Sequence, residues 1–135
     1  MKKYILVFAL LFALPALNTV SAQTATGEEC KPFRTGTFYN PSAPHLTITR
    51  DSLYQVETDT RTGDVSKFKV TWVDDCTYKL EFIESTDREV RKAAKVMGIL
   101  TVTITSVEEG SYKFRATSEA ANDVPMRGTM LRKEK

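Results

Sequence analysis

The sequence predicts a mainly β domain. Its form is an antiparallel up-and-down meander of about eight strands, closed into a barrel or strongly coiled as a sheet, with one α-helix between strands five and six. Three observations predict it. Apolar and polar residues alternate with a period of two in run after run. Neighbouring runs pair in registers that satisfy both faces at once. One stretch, 85–98, carries its apolar residues at helical spacing instead.

The elements follow in chain order. Phe33-Arg-Thr-Gly-Thr-Phe-Tyr39 reads as a first strand, ended by the turn residues Asn40-Pro41 and Pro44. Leu46-Thr-Ile48 and Tyr54-Gln-Val56 read as a pair turning around Arg50-Asp51-Ser52, and Thr60 to Asp64 connects onward. Phe68-Lys-Val70-Thr-Trp72 and Tyr78-Lys-Leu80-Glu-Phe82 read as a hairpin centred near Asp75. That register sets Trp72 against Tyr78, Val70 against Leu80 and Phe68 against Phe82, while Lys69 meets Glu81 and Thr71 meets Lys79 on the wet face. The helix has a capping box, Thr86 with Glu89, then Val90, Ala93, Ala94 and Met97 on one side and Gly98 as its stop. Leu100 to Thr105 and Tyr112 to Ala116 read as a hairpin centred on Glu109, with Gly110 closing a three-residue loop. Val124 to Met130 is the last strand, with Pro125 at its start, and the charged tail Arg132 to Lys135 is expected to fray.

Closing such a sheet removes its edges and encloses the even-numbered face. A barrel of this size is filled by side chains or holds one small ligand, and the helix would cover one mouth.

Residues 1–22 have the form of a secretory signal peptide. Lys2 and Lys3 precede an apolar run from Tyr4 to Leu14, Pro15 breaks it, and Val20-Ser21-Ala22 offers a small-residue cleavage site. The run is short for a membrane span, and no second one follows. The expected organisation is signal peptide 1–22, a flexible leader 23–29, and one domain over 30–135, exported to the periplasm or beyond. Lys2 and Lys3 are two of the 19 basic residues, so the other 17 balance the 17 acidic ones and the exported part is neutral. Such a chain lacks the basic excess on which nucleic-acid binding depends. Cys30 and Cys76 are the two cysteines. In an oxidising compartment they are expected to form a disulfide. The loop of about 46 residues makes it worth up to about 4 kcal/mol in the chain-entropy description.

A family resemblance rests on a frame in the first half of this stretch. It runs Cys30-Lys-x-Phe33-x-x-Gly36-x-Phe38, then Ile48-Thr-Arg50 with Gln55-x-Glu57, then Phe68-x-Val70-x-Trp72-x-x-Asp75-Cys76-x-Tyr78-x-Leu80. The frame resembles a set of small exported proteins of Bacteroidota with a lipocalin-like (calycin-type) barrel. The resemblance implies export and that fold, and it brings no catalytic residue with it. Gly36-Thr-Phe38 stands where the lipocalin opening has Gly-x-Trp.

Residues with chemical potential are few. His45 is the single histidine. A zinc site needs three or four converging ligands, and a nucleophilic triad would have to use His45 with Ser42 or Ser52, neither of which has an elbow context. No metal, cofactor or catalytic residue is assigned. Asp74-Asp75 and Glu108-Glu109 stand in hairpin loops and read as solvated turn residues rather than as general acids. Arg88, Arg91, Lys92 and Lys95 form a basic helix face, read as solvated. The aromatic inward stripe is the stronger feature. Tyr54, Phe68, Trp72, Tyr78, Phe82, Tyr112 and Phe114 fall on one side, as an ordinary core or as the lining of a ligand cavity.

The expected function is an exported, non-catalytic binding protein that holds a small apolar or aromatic ligand on Tyr54, Trp72, Tyr78 and Phe114. The alternative is an envelope protein-interaction module, an inhibitor or assembly factor with a filled core. It would offer the loops 40–44 and 60–64 and the helix to a protein partner.

Overall fold

A computed structural model describes residues 24–134, and the expected signal peptide 1–22 lies outside them. The chain forms a closed barrel of eight antiparallel strands in sequence order. They are β1 (Gly36–Asn40), β2 (Ala43–Arg50), β3 (Tyr54–Asp59), β4 (Val65–Trp72), β5 (Thr77–Ser85), β6 (Leu100–Glu108), β7 (Ser111–Ser118) and β8 (Met126–Arg132). Helix α1 (Gly27–Cys30) and a 3-10 turn (Lys31–Phe33) precede them, and α2 (Arg88–Met97) lies between β5 and β6 as expected. Pairing of Phe38 with Arg132 and Tyr39 with Leu131 closes the cylinder, reinforced by the Lys133 amide donating to the Thr37 carbonyl at 2.8 Å.

The β4–β5 hairpin has the expected register throughout, from Trp72 opposite Tyr78 to Phe68 opposite Phe82. The β6–β7 hairpin keeps Ile104 opposite Phe114 and Val102 opposite Ala116. Its loop is shorter than expected. Glu108 pairs with Ser111, and an irregularity between Ile104 and Ser106 takes up the difference.

The β2–β3 pair corrects the expected register. Asp51 accepts from the Leu53 and Tyr54 amides at 2.7 Å each, and its own amide donates to the Tyr54 carbonyl. This tightens the turn around Ser52 and Leu53, so Arg50 faces Gln55 and Ile48 faces Glu57. A register change of an odd number of residues turns a strand over. Gln55 and Glu57 therefore point inward, and Tyr54 points out.

The segment before β1 corrects two further expectations. The leader is ordered from Thr24: the Ala25 amide donates to the Thr105 carbonyl, and a capping box joins Thr26 and Glu29 around α1. Phe33 belongs to the 3-10 turn, which tucks its ring into the barrel end. The Cys30–Cys76 disulfide forms, with Cα atoms 5.3 Å apart, and ties this strap to the β4–β5 turn. Arg132 does not fray. Its guanidinium stacks on Phe33 and Phe38 and donates to the Pro32 and Thr35 carbonyls. At α2 the cap is Asp87, which accepts from the Glu89 amide, while the expected cap Thr86 holds Val65 and Asp64 instead.

Two buried clusters result. Cys30, Phe33, Phe38, Ile48, Ile104 and Tyr112 fill the end under the strap. Val70, Tyr78, Leu80, Val102 and Ala116 line the middle. If the strap is tied as described, reducing the disulfide removes up to about 4 kcal/mol of stability, the worth of closing a loop of this length. Urea unfolding of oxidised and reduced protein measures this, and coincident midpoints would contradict it.

Candidate functional site

One arginine organises the barrel floor. Arg50 ends β2 on the inward face and is 2% exposed. Its Nε donates to Gln55 Oε1 at 2.9 Å and one terminal nitrogen donates to the Phe33 carbonyl at 2.9 Å. The other donates to the hydroxyls of Tyr78 and Tyr112 at 2.8 and 3.0 Å. The guanidinium also lies over the Tyr78 ring at 4.4 Å and the Phe38 ring at 5.1 Å. Burial works against its charge, but the Tyr78 and Tyr112 oxygens and the Glu57 carboxyl more than offset that, and its pKa is raised. Burial, together with Tyr112, pushes the Tyr78 phenol well above its usual value against the pull of Arg50. The floor is thus a charged donor ringed by neutral acceptors.

Gln55 relays this network. Its amide nitrogen donates to Glu57 Oε1 at 2.9 Å, one step further along β3. Burial raises the Glu57 pKa, against the lowering effect of Gln55 and Arg50. Beside Glu57 and toward α2, the Ser66 and Ser85 hydroxyls lie 2.8 Å apart.

Above the floor is a cavity of about 190 Å³. Arg50, Gln55 and Glu57 form its polar wall, while Leu100, Val102, Phe114, Ala116, Met126 and Met130 form the apolar one, with Tyr78 and Leu80 between. Phe114 lies across β8 at Gly128, where an added Cβ would fall 2.8 Å from the ring, so only glycine fits. At the rim stand Met126 and the exposed Arg127, which pairs with Arg115. A second space of about 130 Å³ lies under α2, walled by Phe68, Phe82 and the small residues Ala93 and Ala94. The two spaces share Leu80 and Leu100.

The four residues expected to line a site separate. Tyr78 and Phe114 border the cavity. Trp72 sits beyond the floor, packed against Tyr78 at 4.7 Å and under Arg34 at 4.8 Å, and its indole nitrogen is buried without an acceptor among the described residues. Tyr54 is outside, with the Lys67 ammonium 4.2 Å from its ring. The inward stripe is thus partly core: Tyr112 belongs to the packed end. Arg50, Gln55 and Glu57 were not expected as site residues, although the family-like frame contains all three; alternation in β2 was the signal for Arg50.

The remaining candidates stay apart. His45 Nε2 is 4.0 Å from Asp59 near the outer loops, and among the described residues no group of three or more His, Cys, Asp or Glu converges. Asp75 pairs with Arg34 at 2.8 Å, and Asp74 caps the β4–β5 turn through the Cys76 amide.

Comparison with family models finds no match, and comparisons with curated proteins and with solved structures find none either.

The Glu57 environment has a pH signature. Its folded pKa is raised, so the unfolded chain gives up this proton first as pH climbs, and the folded state loses stability until pH passes the raised value. Glu57→Gln escapes that loss. Its stability relative to the unsubstituted protein is expected to be constant in acid, to improve as pH rises above the ordinary glutamate range, and then to level off. Urea midpoints across pH follow it; a difference independent of pH would contradict the assignment.

Proposed function

We propose that the protein is an exported, non-catalytic binding protein, a lipocalin-like barrel that holds one small apolar or aromatic ligand in its interior. The observation that carries this reading is the cavity of about 190 Å³ between Arg50 and α2, apolar on most of its wall and polar on one strip. It is somewhat larger than the dry cavity of about 150 Å³ that accepts benzene. The space under α2 extends it toward the mouth.

Export is supported by the signal-like start and by the disulfide, which suits an oxidising compartment. Among the described residues no helix is long and apolar enough to cross a membrane. Membership of the small exported proteins of Bacteroidota belongs to the same proposal, on the frame from Cys30 to Leu80.

Native mass spectrometry of protein purified from its own envelope is expected to show a retained small molecule. Ala116→Leu, which adds bulk to the cavity wall, is expected to lose it while staying folded, at a cost of about 1–3 kcal/mol. Protein that is always empty but crosslinks reproducibly to one partner would overturn this reading in favour of an envelope interaction module.

A further inference from the structure

Resting on the reading of the barrel as a ligand holder, we propose that the ligand is a small uncharged amphiphile. Its body is an apolar ring or branched chain, and its head is a hydrogen-bond donor, a hydroxyl above all, given to the Glu57 carboxyl.

An arginine in a barrel floor suggests a receptor for a carboxylate, but Arg50 is occupied. Its donors reach Gln55, the Phe33 carbonyl and the two phenols, and its flat faces lie on Tyr78 and Phe38. Four of its five N–H groups are used in this way, so a carboxylate could take the usual two bonds only by breaking one of them. The group with spare capacity is Glu57. Gln55 donates to its Oε1, no group among the described residues donates to its Oε2, and the side chain borders the cavity. With Glu57 ionised, the cavity therefore offers an acceptor and asks for a donor.

Charge narrows the class further. Along the polar wall Arg50 is a cation and Glu57, once ionised, a carboxylate of opposite sign, joined through Gln55. A ligand with a net charge would enter an apolar space without a counter-ion, which is costly. An anion would face Glu57 and a cation would face Arg50. A neutral hydroxyl meets neither penalty. Size sets the last limit: the cavity takes one ring with a short head, and a longer tail would have to run under α2 past Leu80 and Leu100.

Protein-observed NMR titration of the folded, oxidised protein tests this with five single-ring probes, at a pH on the upper plateau of the Glu57→Gln stability comparison, where Glu57 is ionised. Toluene reports whether the cavity takes a ring at all. Benzyl alcohol is expected to bind at least about tenfold more tightly than acetophenone, which only accepts, in line with one net hydrogen bond. Benzoate and benzylamine are expected to bind no better than acetophenone. Glu57→Gln presents an amide N–H to the cavity in place of the free oxygen, so acetophenone should draw level with or pass benzyl alcohol while toluene is unchanged. Toluene binding with no preference for the alcohol, or with a preference for either charged probe, overturns the inference and leaves the ligand-holding reading intact. An unchanged ranking in Glu57→Gln overturns it as well. Failure of every probe overturns both.

Discussion

A guanidinium does not give up its charge inside a protein, and Arg50 is buried in the middle of a β-barrel. The chain must therefore bring acceptors to it. It does so from four separate places: Gln55 on β3, Tyr78 on β5, Tyr112 on β7 and the Phe33 carbonyl on the strap. Removing one neutral acceptor from a buried charge costs about 1.5–3 kcal/mol, because an N–H of the ion is left without a partner. The same contacts fix the barrel end. The 3-10 turn must cross the cylinder to present Phe33, and the disulfide, the Arg34–Asp75 pair and Arg132 hold it there.

The floor divides the interior into two regimes. Beneath it, the rings of Phe33, Phe38 and Tyr112 lie 5.2–6.3 Å apart and pack with Ile104 in one cluster. Above it, the polar strip on β3 faces the apolar wall of β6, β7 and β8 across open space. The lid does not fill the space beneath it: α2 turns Val90, Ala93, Ala94 and Met97 toward Phe68 and Phe82, and about 130 Å³ stays open between them.

Much of this was legible as parity. Even-numbered residues point inward on β1, β2 and β4 through β8, as Phe38, Ile48, Val70, Leu80, Val102, Phe114 and Met130 illustrate. The exceptions are β3, where Gln55 pairs with Phe68 and with Arg50, and the ends of β5 and β6 past their irregularities, where Ser85 pairs with buried Ser66 and Val107 with buried Tyr112. The β2–β3 turn was read one way and formed another because an Asx turn at Asp51 closes it within two residues, and composition alone does not reveal turn length. That inversion moved Tyr54 out of the site and brought Gln55 and Glu57 in. The strap escaped for another reason. Residues 24–29 have no apolar periodicity, and their order comes from tertiary partners: Thr105, the disulfide and the capping box. The central hairpin was legible in full because both its faces demand one register.

The central claim is that a rigid, charged floor leaves a ring-sized, largely apolar hollow above it. A crystal structure under xenon pressure tests this most directly, since xenon enters apolar voids and avoids close-packed or wet ones. Xenon is predicted between Val102, Phe114 and Met130, with Arg50 still bonded to both tyrosines. Side chains collapsed into that space with no xenon, or Arg50 swung away from Tyr78 and Tyr112, would contradict the account.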